Sequence, residues 1–311
     1  MKPVPPAPEA EIVVEGQHVR LHNLHKVFWP ELGLTKADLV NYYLQVSPYL
    51  LPYLKGRPFI MKPFPDGASG RSYYRWEIPD YAPAWVHRWR YQARTEERTI
   101  DMVVVEGLAD LVWVVNQACI EMHPWLSRRD DPLHPDVALL DLDPGPGTTF
   151  TDALQVAAWL HQLLERAGTR SYAKTSGRKG VHVLVPLERR YSFREVRDWV
   201  KAVARRLAEE RPHLVTAART AEARRGRVLV DYAQNGLGKS VASPYSARAT
   251  RTATVSTPLT WAEVEQAQVR PEQFTLLTVP ERLGAVGDLL ASLAEGQLLP
   301  DVSALGSGAS A

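Results

Sequence analysis

The 311-residue sequence has a single cysteine, Cys119, and no long hydrophobic run. One cysteine excludes a disulfide within the chain, so a reducing, cytoplasmic compartment is expected. The longest run of aliphatic and aromatic residues extends only from Leu111 to Val115, whereas a membrane-spanning helix needs roughly 18 apolar residues. The Pro-rich start also lacks the charged, apolar and small-residue segments of a secretory signal. The expectation is a cytoplasmic protein without a membrane partner.

Neither sign of charge dominates, because 37 Lys and Arg residues face 35 Asp and Glu residues and the formal net charge is +2. A hydrophobic fraction of 45% excludes disorder of the whole chain. The bases are nevertheless clustered. Residues 166–180 carry five bases and no acid, and residues 211–251 carry eight bases and two acids. Polyanions are therefore candidate ligands, although solvated helix faces would also accommodate many of these bases.

Periodicity predicts a mixed α/β chain with flexible tails at 1–10 and 301–311 and one folded domain at 11–300. Thr35 with Asp38 opens one helix, Thr151 opens a second that Gly168 ends, and a capping box of Ser192 with Glu195 opens a third. Between the helices lie short β-branched or Leu-rich runs that predict strands. These are Met102–Val105, Val137–Asp143, Gly180–Pro186 and Val228–Tyr232.

Two of these predicted strands end in acids. Asp141 and Asp143 are two residues apart, so their carboxylates project from the same face of a strand, where a divalent cation would offset their repulsion. Asp231 would place a third carboxylate on a neighbouring strand. A D-x-D pair with a distant strand-borne Asp is typical of nucleotidyl-transfer enzymes that hold two Mg²⁺ or Mn²⁺ ions. Two alternatives remain open: Asp141 and Asp143 could be solvated or helix-capping acids, and Asp231 could form an Asx-turn.

A basic turn, TSGRKGVHVLVP, lies between these acids at residues 175–186. Its small residues let backbone N–H groups approach an anion, Ser176, Arg178 and Lys179 can donate to phosphate oxygens, and His182 would point toward the same place. A turn without a ligand and a buried sheet histidine are the alternatives.

Aromatic residues alternate with bases between Gly70 and Trp89, as in surfaces that stack nucleic-acid bases. Core packing is the alternative for any one ring. Because adjacent residues of a strand face opposite ways, Tyr73 and Tyr74 cannot both face one core. The members are Tyr73, Tyr74, Trp76, Tyr81, Trp85 and Trp89, with Arg71, Arg75, Arg88 and the upstream Lys62.

From about His22 to Thr278 the chain resembles the polymerase domain of bacterial ligase D, a nonhomologous end-joining member of the archaeo-eukaryotic primase superfamily. The resemblance is carried by LHNLHKVFWPELGLTKADLV, the Tyr73-Tyr74 pair ahead of Ile78-Pro79, NQACIEMHPW, LLDLDPG, TSGRKGVHVLVPL and VLVDYAQNGLGKSVASPYSARA. It implies a primase-type α/β catalytic fold, with an RRM-like sheet and a second packed layer.

The resemblance also implies roles for individual residues. Asp141, Asp143 and Asp231 match the catalytic metal-binding carboxylates; Ser176, Lys179, His182, Arg224 and Arg248 match the residues that bind the triphosphate; Asn23, Lys26 and Lys36 match a DNA 5′-phosphate pocket. Tyr73 and Tyr74 stand where the family commonly has a Phe pair that stacks on DNA, with Lys62 beside them. Lys36 would lie in the first turn of a helix, where a lysine is unfavourable unless an anion compensates.

The implied activity is template-directed addition of nucleotides, preferably ribonucleotides, to 3′-ends at short gaps, overhangs and double-strand breaks. Two Mn²⁺ or Mg²⁺ ions and an NTP would be required, and Ku and a DNA ligase are candidate partners. A stand-alone primase, a repair polymerase outside end joining and a non-catalytic DNA-end bridging module are the alternatives. A D-x-D phosphohydrolase is disfavoured, because Pro144 and Gly145 follow the acids where a hydroxyl residue would be needed.

Overall fold

The computed structural model describes residues 2–92 and 98–301, which form fourteen strands and seven α-helices. The strands are β1 Glu9–Val14, β2 Gln17–His22, β3 Val27–Trp29, β4 Leu34–Thr35, β5 Pro58–Ile60, β6 Arg88–Gln92, β7 Thr99–Val104, β8 His123–Pro124, β9 Val137–Pro144, β10 Tyr172–Thr175, β11 Val181–Pro186, β12 Val215–Thr216, β13 Val228–Asp231 and β14 Pro258–Leu259. The helices are α1 Lys36–Leu54, α2 Leu108–Asn116, α3 Phe150–Arg166, α4 Phe193–Glu210, α5 Ala221–Arg224, α6 Trp261–Gln266 and α7 Val279–Val286. The mixed α/β prediction is confirmed.

The chain folds into two compact units, each assembled from several stretches. The first comprises residues 1–130, 240–256 and 274–287, and the second comprises residues 131–239, 257–273 and 288–311. The sequence predicts a single domain at 11–300, and the joint action of the two units in one catalytic domain stays a prediction.

The second unit is built on a six-stranded sheet with the order β12-β13-β9-β11-β10-β14. Only β12 and β13 pair in parallel, and the other neighbours are antiparallel. Helices α3 and α4 pack on β9. Leu140 and Leu142 of β9 are fully buried, whereas Asp141 and Asp143, which project from the opposite face of the strand, are partly exposed. The predicted acids therefore lie off the apolar core of this unit.

The first unit contains a four-stranded sheet with the order β6-β7-β5-β8 and two hairpins, β1-β2 and β3-β4. Helix α1 packs against α2 and α7, and α2 contributes an almost wholly buried run from Ala109 to Val115. Because α2 is buried almost all round, it can be apolar all round, which explains why the chain's longest apolar run lies there.

The helix starts follow capping chemistry, with one correction to the sequence prediction. Thr35 is the N-cap of α1 as predicted and forms a capping box with Asp38, and Ser192 with Glu195 forms the predicted capping box of α4. The predicted start of α3 at Thr151 is wrong, because the N-cap is Thr149. Thr149 is followed three residues later by Asp152, which completes a capping box, whereas the residue three after Thr151 is Leu154.

The predicted tails fall partly outside the described residues, since only Asp301 of 301–311 is described. At the start of the chain, Val4 is buried and exchanges two hydrogen bonds with the Asn41 side chain, and β1 begins at Glu9, within the segment 1–10. In the described part of the chain no helix is both long and apolar enough to cross a membrane.

Candidate functional site

Four polar residues on adjacent strands of the six-stranded sheet lie opposite one another in the strand register. In the antiparallel register Asp141 lies directly opposite Asp231 on one side and His182 on the other. His182 in turn lies opposite Lys174. Asp143 follows one pleat further along β9, so three carboxylates lie on adjacent strands. The predicted neighbourhood of Asp231 with Asp141 and Asp143 is confirmed.

Each of these acids is close to cationic or hydrogen-bonding groups of the same unit. Asp141 Oδ1 lies 3.4 Å from His182 Nε2, and Asp231 Oδ2 lies 3.3 Å from Arg219 Nε. Burial raises the pKa of Asp143 above its ordinary value, the Asp231 carboxylate adds to this, and Arg224 and Arg219 act against it. Asp143 therefore ionises less readily than an exposed Asp, which a bound cation would reverse.

The three carboxylates supply oxygen ligands of the kind that Mg²⁺ and Mn²⁺ prefer. Within residues 2–92 and 98–301, however, no group of three His, Cys, Asp or Glu side chains is placed to hold one metal ion. A second observation bears on an anionic ligand of this site. Arg224 Nε is buried, and no described residue accepts a hydrogen bond from it. The three carboxylates are thus ligands of the type that divalent metal ions prefer, and Arg224 is a donor of the type that a phosphate group prefers.

Two glycines bring the loops close to these acids. A Cβ at Gly145 would collide with the backbone oxygens of Arg224 and Arg227, so only glycine lets the turn after β9 lie against the end of α5. A Cβ at Gly180 would collide with the Leu142 carbonyl oxygen and would lie 3.5 Å from Asp143 Oδ1. Glycine at these two positions therefore places Arg224 and the basic turn beside the carboxylates.

Within the basic turn Ser176 stabilises the backbone. Its Oγ accepts hydrogen bonds from the N–H groups of Arg178, at 3.2 Å, and Gly180, at 3.1 Å. Arg178 and Lys179 are exposed at the tip of the turn. Ser176 therefore shapes the loop that carries these two bases.

Lys174 is a buried residue of this site that sequence reasoning counted among the bases but gave no role. Its Nζ is 2.8 Å from His182 Nδ1. With Lys174 protonated, its ammonium group can only donate, so Nδ1 accepts and the ring proton lies on Nε2, which faces Asp141. A sequence signal exists, since Lys174 and His182 are equally far from Arg178 in a hairpin. Arg219, the partner of Asp231, has no such signal.

The remaining predicted residues lie in the first unit. Arg248 Nε is 3.3 Å from Glu121 Oε1, and Glu121 is fully buried. The same carboxylate lies 3.2 Å from Lys62 Nζ and accepts a 2.9 Å hydrogen bond from His123 Nε2. The pKa of His123 lies below its ordinary value because burial lowers it more than the neighbouring Glu121 raises it. We call Glu121 with Lys62, His123 and Arg248 the Glu121 cluster; sequence reasoning missed its central acid.

The two adjacent tyrosines are both exposed, Tyr73 by 46% and Tyr74 by 56%, which confirms that they do not share one core. Lys62 Nζ lies 5.3 Å from the centre of the Tyr74 ring, and that ring meets His123 edge to face at 6.3 Å. Tyr74 thus belongs beside the Glu121 cluster, whereas the hydroxyl of Tyr73 is bonded to Arg75.

A cavity of about 290 Å³ in the first unit brings together Asn23, Lys26 and Lys36, the three residues that the resemblance groups. We call it the Lys26 pocket. Lys26 Nζ lies 3.0 Å from Asp66 Oδ1 at the surface. Lys36 is buried, and its Nζ donates to the carbonyl oxygen of His22 and to both oxygens of Asn116. These bonds supply the compensation that the sequence analysis attributed to an anion.

Stability of the protein is expected to rise with pH above 8 because of Lys36. Burial lowers its pKa from 10.5 to about 8, so on going from pH 8 to 10.5 the folded chain releases a proton that the unfolded chain keeps. Relative to Lys36→Met, the wild type should gain about 2 kcal/mol of unfolding free energy between pH 7 and 9.5. Urea denaturation of both proteins at several pH values measures this difference. A constant difference would show that Lys36 stays protonated.

Residues 35–290 match the family model described as "LigD, primase-polymerase domain". The multifunctional non-homologous end joining protein LigD of Mycolicibacterium smegmatis is 35% identical over 280 residues, which cover 89% of this chain and 36% of that protein. The DNA repair protein LigD of Mycobacterium tuberculosis strain H37Rv is 34% identical over 285 residues, which cover 89% and 37%. The chain thus spans little more than a third of these relatives.

A solved structure, described as the polymerase domain from Mycobacterium tuberculosis ligase D in complex with DNA, matches with a TM-score of 0.83 and 31% identity. The match covers 89% of this chain and 98% of that chain. The α/β architecture, the length of the match and the sequence identity all indicate the same family. The chain belongs to the family of LigD primase-polymerase domains, which are nucleotidyltransferases.

Proposed function

We propose that the protein adds nucleotides, preferably ribonucleotides, to 3′-ends in a template-directed manner at short gaps and double-strand breaks during nonhomologous end joining. A primer 3′-hydroxyl attacks the α-phosphate of an NTP and pyrophosphate leaves. The observation that carries this proposal is the placement of Asp141 opposite Asp231, with Asp143 one pleat away, in a chain of this family.

Asp141, Asp143 and Asp231 are the residues that would hold two Mg²⁺ or Mn²⁺ ions, for which Asp141 would exchange its contact with His182 and Asp231 its contact with Arg219. When bound, such ions make the attacking hydroxyl more acidic and offset charge on the phosphates. Burial is the main cause of the raised pKa of Asp143 and the Asp231 carboxylate adds to it; a bound cation would offset both effects.

The triphosphate is assigned to groups that surround these acids and to Arg248. Lys179 supplies an exposed charge, Ser176 sets the loop that carries it, and His182 presents an N–H at Nε2. Arg224 has a buried Nε without an acceptor among the described residues, which a phosphate oxygen would provide. Preorganised donors of this kind stabilise charge that develops on the phosphoryl oxygens.

The DNA is assigned to the first unit. The Lys26 pocket would bind the 5′-phosphate on the far side of a gap through Asn23, Lys26 and Lys36, and the exposed rings of Tyr73 and Tyr74, with Lys62, would stack on the DNA end. We also propose Ku and a DNA ligase as partners and the bacterial cytoplasm and nucleoid as the place of action. The names of the relatives support a role in non-homologous end joining.

Extension of a labelled primer across a one-nucleotide gap with a downstream 5′-phosphate tests the proposal. We expect templated addition that favours rNTP over dNTP, requires Mn²⁺ or Mg²⁺ and is faster with the 5′-phosphate than with a 5′-hydroxyl. Equal use of both DNA ends together with chain initiation from two nucleotides would indicate a primase instead. Tight DNA binding without any addition would indicate a bridging module.

Lys26→Ala is expected to weaken binding to 5′-phosphorylated gapped DNA by about 10-fold, because a charge-assisted hydrogen bond to phosphate is lost. Binding to the 5′-hydroxyl gap should change less. Fluorescence anisotropy with both DNAs measures the two affinities, and Lys55→Ala, which removes an exposed lysine at the end of α1, is the matched control. An equal loss on the two DNAs would remove the phosphate assignment.

A further inference from the structure

Three cations line the Lys26 pocket, and no Asp or Glu is among the described residues that line it. Lys26 and Lys36 belong to the set that the resemblance groups. The third cation is Arg75, whose backbone is held by paired hydrogen bonds with Met61, so its Cα has a defined position in the first unit. The pocket therefore contains a third cation, Arg75, to which the resemblance assigns no role.

The guanidinium of Arg75 is oriented by two phenol hydroxyls. Nη2 donates to the Tyr73 hydroxyl at 3.2 Å, and Nη1 donates to the Tyr81 hydroxyl at 3.1 Å. The Tyr81 hydroxyl donates its own hydrogen bond to Gln117 Oε1, at 3.0 Å, so it is the acceptor in its contact with Arg75. The guanidinium also lies 5.5 Å from the centre of the Tyr73 ring. These contacts fix the orientation of the planar Arg75 guanidinium group at the edge of the pocket.

Both groups that hold Arg75 are neutral, so its charge is not cancelled. No described carboxylate lies within ion-pair distance of it, whereas Lys26 pairs with Asp66 and the amine of Lys36 is bonded to three backbone or amide oxygens. Arg75 also keeps N–H donors beyond the two used on the hydroxyls. A guanidinium held by neutral acceptors beside a cavity is suited to an oxyanion with several oxygens, such as a phosphate monoester.

We propose that Arg75 is a phosphate-binding residue of the Lys26 pocket and that the Tyr73 hydroxyl positions it. The inference rests on the proposed binding of a DNA 5′-phosphate. It makes Tyr73 bifunctional: the ring offers a stacking face, and the hydroxyl orients the cation that recognises the phosphate of the same DNA end. A phenylalanine at position 73 would keep the first property and lose the second.

Binding of gapped DNA with a 5′-phosphate or a 5′-hydroxyl tests the inference, with the ratio of the two dissociation constants as the readout. Arg75→Gln is expected to reduce the wild-type preference for the phosphate by about 10-fold, because a charge-assisted contact is lost. Tyr73→Phe should reduce it by about 3-fold, because one hydrogen bond that orients Arg75 is lost. Arg75→Lys keeps the charge without the fork and should fall between Arg75→Gln and the wild type.

Lys55→Gln removes an exposed cation of the same unit that lies in none of the proposed sites, and it is the matched control. This variant should leave the ratio of the two dissociation constants unchanged, even where it weakens the binding of both DNAs. If Arg75→Gln and Tyr73→Phe also leave the ratio unchanged while the wild type prefers the phosphate, the inference is overturned and the proposed function stands. If the wild type itself binds both DNAs equally, the phosphate pocket fails and the inference fails with it.

Discussion

Replacement of Asp141 by asparagine is expected to abolish nucleotide addition while binding of gapped DNA stays within about twofold of the wild type. Asparagine keeps the size of the side chain but removes one of three clustered charges, so the site loses affinity for divalent cations. Loss of the several kcal/mol that metal ions supply to phosphoryl transfer corresponds to a decrease of about 1,000-fold or more in rate. DNA binding should persist, because a carboxylate does not attract a polyanion.

Single-turnover primer extension measures the rate, and anisotropy measures the DNA affinity. Asp198→Asn serves as the control, since Asp198 is an exposed acid on α4. Retained addition by Asp141→Asn would overturn the assignment of Asp141 to the metal site. A thermal unfolding curve of each variant separates loss of chemistry from loss of fold.

Glu121→Gln is expected to destabilise the protein by about 3 kcal/mol, since removal of one partner leaves buried charges without compensation. The carboxylate is fully buried, and the side chains of Lys62, His123 and Arg248 are only 15%, 10% and 11% exposed. Glutamine keeps the shape but no longer offsets the charges of Lys62 and Arg248, and its NH₂ group would face the hydrogen-bond donors of these side chains. Nucleotide addition should fall as well, because Arg248, which we propose as a triphosphate-binding residue, loses its contact with the Glu121 carboxylate.

The midpoint of urea denaturation measures this loss of stability. Glu77→Gln is the matched control in the same unit: Glu77 is 49% exposed and lies 3.2 Å from Arg98, so its removal should cost about 1 kcal/mol or less. Equal midpoints for the two variants would show that water replaces the Glu121 carboxylate without cost and that the cluster does not stabilise the unit.

Local patterns were sufficient for much of the fold. The capping boxes at Thr35 and Ser192 and the strands around Asp141, His182 and Asp231 depend on neighbours a few residues apart, which is the range that periodicity and capping rules describe. The error at Thr151 arose where two threonines compete for one helix start. The second member of the box, Asp152, selects Thr149.

By itself the sequence determined the α/β class, the strand that carries Asp141 and Asp143, and membership of the family. Only the tertiary structure decided which distant residues meet: that Glu121 binds Lys62 and Arg248, that Arg219 reaches Asp231, and that the Tyr73 hydroxyl holds Arg75. The reason is physical. Contacts within a helix or hairpin follow from the backbone period, whereas contacts between distant segments depend on sheet order and on the packing of whole elements, which no local pattern encodes.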